Sequence, residues 1–169
     1  MGMDVHGINP KQNKNMEDFP TYNKFANMDF DVKWKELDKS DKLKDKFFEE
    51  MNEYEASNPG VYFRNNCWWW RPLWNYCAEI APDLIDDDLW NSGHCNDGAG
   101  LNGKDAKELG HRLLKEIANG NTIEYQASYQ QFQEDKKDED KFASMYPFDI
   151  DNVERFALFC IDSGGFEIY

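Results

Sequence analysis

Apolar side chains return at helical spacing along most of this chain and alternate only near its two ends. Leu43, Phe47, Met51 and Tyr54 step by four, four and three. That is one stripe of a helix, which Ser40 caps and Asn58-Pro59-Gly60 stops, so a helix is expected from Ser40 to about Ser57. Leu73, Trp74, Cys77 and Ile80 share a face after Pro72, a residue suited to a first helical turn, and Pro82 ends that run. Asp83 to Trp90 reads as a short acidic helix. Ala106, Leu109, Leu113 and Ile117 line the inner face of a helix that Asn102 caps and Gly120 stops. Thr122 to about Glu134 continues in the same period with Ile123, Tyr125, Tyr129 and Phe132. Asp151 to Glu154 has capping-box spacing ahead of the stripe Val153, Phe156, Ala157 and Cys160, which Ser163-Gly164-Gly165 closes.

The alternating segments are short. Met3 to Ile8 predicts a strand ended by Asn9-Pro10, and Phe166 to Tyr169 predicts a second strand that pairs with it and brings the chain ends together. Val61 to Phe63 is expected to be extended. Lys11 to Asp31 shows little period and is expected as an extended loop pinned by Phe19, Tyr22, Phe25 and Phe30. Ser92 to Gly100, with three glycines and Asn96-Asp97-Gly98, predicts a turn-rich loop. Glu134 to Lys141 is a solvated charge run. The pattern predicts an α+β fold: one compact domain over residues 1–169, mostly helical, with a small sheet containing the N- and C-terminal strands.

Composition changes this picture in two ways. Aromatics make up 15% of the 169 residues, so the core should be built from rings meeting edge to face. The net charge of -14 opposes direct binding to nucleic acid or an anionic membrane, and it suits either a well-hydrated acidic protein or an acidic nucleic-acid mimic. The N-terminal MGMDVHGINP lacks the basic and apolar regions of a secretory signal, and no apolar run is long enough to span a bilayer. A cytoplasmic protein with reduced thiols at Cys67, Cys77, Cys95 and Cys160 is expected.

Candidate chemistry gathers in two motifs. Four of the six tryptophans, Trp68, Trp69, Trp70 and Trp74, fall within one short window beside Arg64, Asn65, Asn66 and Arg71. If that stretch is extended, Trp68 and Trp70 share one face and Trp69 takes the other. The rings with their guanidinium and amide neighbours then form either a platform for a base or sugar, or an aromatic core with Arg stacked on Trp. The second motif is Gly93-His94-Cys95-Asn96-Asp97-Gly98-Ala99-Gly100. Its glycines can present backbone N–H groups to an anion, and His94 with Asp97 is a candidate acid–base pair. It lacks the lysine of a phosphate-binding loop, and a tight turn in which Asn96 and Asp97 bond their own backbone is the alternative. His6, His94, Cys95, Asp97 and His111 show no recognised metal-ligand spacing, and Asp86-Asp87-Asp88 does not match an EF-hand loop. No metal or cofactor is expected. Cys160 sits on an apolar stripe and reads as core.

The segments GMDVHGINP, GVYFRNNCWWWRPLWNYC, GHCNDGAGL and YPFDIDNVERFALFCIDSGGFEI together resemble a family of small uncharacterised proteins carried by bacteriophages and bacterial genomes. The resemblance runs from Gly2 to Ile168. It implies an origin but no reaction. Relatives often carry Tyr in place of Cys95 and an aliphatic residue in place of Cys67, which implies that neither thiol is a nucleophile or ligand. Some carry a zinc-ribbon-like insertion near Glu134 to Lys141, where this chain has only charges.

The resulting expectation is a non-enzymatic binding protein of phage type, with a host-takeover or anti-defence role. Its ligand is a small nucleotide-like molecule or a host protein, held by Arg64, Asn65, Asn66, Trp68, Trp69, Arg71, His94, Asn96 and Asp97. Two alternatives stand beside it: a hydrolase of a nucleotide or phosphodiester using His94 and Asp97, and an acidic mimic that inhibits a host protein.

Overall fold

The computed structural model of the chain describes residues 2–136 and 145–169. The stretch expected as a charge run therefore lies outside the described residues beyond Lys136. The described part is an α+β structure, mostly helical, with a four-stranded antiparallel sheet that includes strands from both ends of the chain. Two compact units divide it: residues 12–58, and the remainder.

In the smaller unit, helices α1 (Pro20–Ala26) and α2 (Phe30–Leu37) occupy and follow the stretch expected as an extended loop. Local signals explain the difference. Pro20 sits in the first turn of α1, where its missing N–H costs nothing. Asp29 caps α2 by accepting from the backbone N–H groups of Asp31 and Val32. The stripe Phe30, Trp34, Leu37 crosses the boundary drawn at Asp31 and was cut by it. Helix α3 (Asp41–Ser57) begins at the expected Ser40 cap, which accepts from the Leu43 N–H. Phe25, Leu37 and Phe47 are buried together, and Phe25 meets Phe47 edge-on at 6.1 Å. Asn58, completely buried, closes the unit. Its side-chain oxygen accepts from the N–H groups of Asn13 and Lys14, and its amide donates to the carbonyls of Lys14 and Tyr54.

In the larger unit, strands β1 (Gly2–Gly7), β2 (Tyr62–Asn66), β3 (Gly100–Asn102) and β4 (Gly165–Ile168) lie in the order β2-β1-β4-β3. The expected pairing of the two end strands is present, with Val5 opposite Ile168. Alternation assigns the faces. Met3, Val5, Phe63, Asn65, Phe166 and Ile168 are buried, while His6, Arg64 and Glu167 are exposed.

The helices described in this unit are α4 (Cys67–Ile80), α5 (Asp87–Ser92), α6 (Gly103–Ala118), α7 (Asn121–Lys136) and α8 (Ile150–Asp162). The inner faces of α6 and α8 match the expected stripes, with Leu109, Leu113, Phe156 and Cys160 fully buried. Gly110 lets these two helices touch, since a Cβ there would lie 2.6 Å from the Ala157 carbonyl oxygen. The cap of helix α8 lies two residues before the expected one. Asp149, not Asp151, accepts from the backbone of the first turn. On α7, Ile123 and Phe132 turn outward, and Thr122 is buried against the Tyr76 hydroxyl at 2.9 Å.

The tryptophan segment differs most from expectation. It is helical, not extended, because the Asn66 side chain accepts from the N–H groups of Trp68 and Trp69 and starts α4 at Cys67. Pro72 lies inside the helix, not in its first turn, and contributes no N–H to the helical ladder. Successive side chains on a helix are about 100° apart, so the three rings fan out instead of alternating. Trp70 points into the core and stacks on Trp74 at 5.3 Å, with Phe156 meeting it edge-on at 5.5 Å.

Candidate functional site

Two indole N–H groups join α4 to the glycine-rich segment. Trp70 Nε1 donates to the Gly93 carbonyl at 2.7 Å, and Trp74 Nε1 donates to the Trp90 carbonyl at 3.1 Å. Both rings are fully buried, so each must find an acceptor, and the end of α5 supplies them. Gly93 has ordinary helical torsions. Its value here is space, because a Cβ would lie 2.3 Å from Trp74 Nε1.

With the two motifs locked together, the outer stripe of α4 carries Trp68, Arg71 and Asn75, spaced by three and four. Tyr146 stands beside the first two. Its ring lies 4.8 Å from Trp68, the Arg71 guanidinium lies 5.6 Å from its centre, and Arg71 Nη1 donates to its hydroxyl at 2.6 Å. Asn75 accepts from Trp90 Nε1 at 2.9 Å, and Trp90 meets His94 edge-on at 5.0 Å. Arg71 is exposed beside Tyr146, and its charge reaches the His94 imidazole. Only one of its guanidinium donors is engaged among the described residues.

His94 is part-buried, and its Nδ1 is buried without a hydrogen-bond partner among the described residues. Burial, and then the nearby Arg71 charge, hold its imidazole below the ordinary range. It is therefore neutral at pH 7. A neutral imidazole has one donor and one acceptor nitrogen, and the buried Nδ1 is the one left unpaired among the described residues.

The other residues expected at the site are placed elsewhere or already engaged. Arg64 lies on the exposed face of β2, 3.4 Å from Asp4. Asn65 is buried in the sheet opposite Met3, and its side-chain N–H group has no partner among the described residues. Asn66 is consumed by the α4 cap. Trp69 is half-buried, on a different side of the helix from Trp68. Asn96 donates to the Gly2 carbonyl at 3.1 Å and not to its own turn, while Asp97 accepts from the Ala99 N–H, as the tight-turn alternative has it for that residue. No hydrogen bond joins His94 to Asp97 among the described residues. Trp68 and Arg71 are thus brought together at Tyr146, with His94 near enough to feel the Arg71 charge, while Asn75, Trp90 and Tyr146 were missed. Trp90 and His94 are four apart, a helical spacing that a boundary at Ser92 hid.

Thiols and metals add nothing to the patch. Cys77 and Cys160 are fully buried, and burial pushes both thiols well above their usual range. Cys95 is exposed and its sulfur faces the Asn91 carbonyl. Among the described residues no group of three or more His, Cys, Asp or Glu side chains is placed to hold a metal, and no helix is long and apolar enough to cross a membrane. Compared with family models, with curated proteins and with solved structures, the chain shows no match in any of the three.

Proposed function

We propose that the protein binds, without chemical turnover, a small planar ligand that carries negative charge, of the nucleotide type. The observation that carries this reading is Arg71. An exposed guanidinium beside the Tyr146 ring, which in turn packs on Trp68, offers a charge for an anion and rings for a base, and its charge is felt at His94. Trp70 and Trp74 hold both halves rigidly through their hydrogen bonds to the α5 end, which lowers the ordering cost of binding. A hydrolase using His94 and Asp97 has less support, because the Asp97 carboxylate is spent on its own turn. The setting that fits the resemblance is a phage-type protein acting in a host cytoplasm, in host takeover or anti-defence.

A thermal-shift screen tests the reading. Nucleotides and cyclic nucleotides should raise the melting temperature, since a ligand at 100 times its Kd stabilises by about 2.7 kcal/mol. Adenosine alone and phosphate alone should each give a smaller shift, because each meets half of the site. Arg71→Gln should remove the nucleotide shift. No shift with any nucleotide at millimolar concentration, or an undiminished shift in Arg71→Gln, would refute the proposal.

A further inference from the structure

The face of the sheet that lacks the buried side chains carries an ordered set of groups that the Arg71 site does not use. Across the middle of that face, Tyr62 on β2 stands opposite His6 on β1, and His6 stands opposite Glu167 on β4. In the next row, Arg64 stands opposite Asp4, and Asp4 exchanges backbone hydrogen bonds with Tyr169 at 2.6 and 2.7 Å. His6, Arg64, Glu167 and Tyr169 are exposed, and Asp4 and Tyr62 partly so. The His6 ring lies 5.2 Å from the Tyr62 ring and 6.1 Å from the Tyr169 ring. The Tyr62 hydroxyl donates to Asp4, and the Tyr169 hydroxyl donates to Glu167 at 3.0 Å. Gly98 lies directly against the Tyr169 ring, where a Cβ would come within 3.3 Å of its hydroxyl.

We propose that this face docks a basic segment of a partner protein, its Lys or Arg side chains lying on the rings of His6, Tyr62 and Tyr169 and ending at the carboxylates of Glu167 and Asp4. Charge complementarity selects this occupant. Aromatic faces attract cations, and among the described residues one ion pair, from Arg64 to Asp4, opposes the two carboxylates. Arg64 already shows the mode: its Nε lies 3.4 Å from the Asp4 carboxylate. The chain as a whole carries -14, which steers a basic partner in. A single-stranded nucleic acid stacking on the same rings would bring its phosphates against Asp4 and Glu167 and is therefore disfavoured.

Fluorescence anisotropy of a labelled octa-arginine peptide titrated with the full chain tests this, at low and at physiological salt. Glu167→Gln combined with His6→Ala should weaken the peptide by about tenfold, the sum of one ion pair and one ring contact. Both side chains are exposed, so circular dichroism should be unchanged. Glu124→Gln removes an equal charge from the exposed side of α7 and should change affinity less than about twofold, because a single remote charge is screened. Equal losses in the two variants would reduce the effect to net charge and overturn the proposal. So would an unchanged affinity in the first variant, or tight binding of oligothymidylate that the same variant abolishes. Arg71→Gln leaves this face intact and should not change peptide binding.

Discussion

Replacing Trp70 with Phe tests the strut that makes one site out of two motifs. The indole is fully buried between Trp74 and Phe156, and its N–H reaches the Gly93 carbonyl at 2.7 Å. Phe cannot donate, so a carbonyl at a buried residue loses its partner, at a cost of about 1–3 kcal/mol. Truncating a buried Trp to Ala costs about 3–5 kcal/mol, and a phenyl ring restores more than half of the lost volume, leaving about 1–2 kcal/mol for the gap. The total is about 3 kcal/mol, which should move the urea midpoint by more than about 1 M at ordinary m-values. Urea unfolding followed by circular dichroism measures the loss. Hydrogen exchange at the His94 and Cys95 amides, which bond to the Asn91 and Ser92 carbonyls, reports whether the segment loosens first. Trp69→Phe is the control. That indole is half-buried and makes no hydrogen bond among the described residues, so the loss should stay below about 1 kcal/mol. Equal losses in the two variants, or a loss below about 1 kcal/mol for Trp70→Phe, would refute the reasoning.

Two further predictions follow from close packing and buried polarity. Gly110→Ala places a Cβ 2.6 Å from the Ala157 carbonyl oxygen, where only separating α6 from α8 gives relief. Overpacking of about 3 kcal/mol should outweigh the gain in helix propensity of about 1 kcal/mol, a net loss of about 2 kcal/mol by urea unfolding. Asn58→Ala removes four hydrogen bonds from a fully buried side chain, two of them to the N–H groups of Asn13 and Lys14. The expected cost is about 2–3 kcal/mol, and unchanged unfolding with unchanged proteolysis within residues 12–58 would contradict it.

Legibility in the sequence followed the strength of the local signal. Helix α6 combined a cap at Asn102, a four-position inner stripe and a stop at Gly120, and these agree with its observed bounds. The pairing of the end strands was legible because both alternate and both are bounded by turn residues. Where two signals competed, reading by period failed. In the tryptophan segment the stiff aromatics and Pro72 suggested an extended lead-in, and the Asn66 cap overrode them. In α1 and α2 the stripes are short, and the turn residues between them looked like loop. The site was half legible. Trp68, Arg71 and His94 stood out by type, but Tyr146 and Asn75 join them only through tertiary contacts that no spacing encodes. Arg64 and Asn65 show the opposite case. They are sequence neighbours of the site whose strand turns them to opposite faces of the sheet.

The titration of His94 probes the proposed site most directly. Its imidazole is held low first by burial and then by Arg71. In the fold it therefore binds a proton less tightly than in the unfolded chain, so its stabilising contribution is present above the ordinary pKa of about 6.5 and fades as pH falls below that. Nuclear magnetic resonance of the His94 ring across pH should give a pKa below the ordinary range in the native protein. Arg71→Gln should raise it, and saturating nucleotide should raise it too, because the bound anion offsets the guanidinium. A His94 pKa unmoved by both changes would contradict the placement of Arg71 and His94 in one anion-binding site.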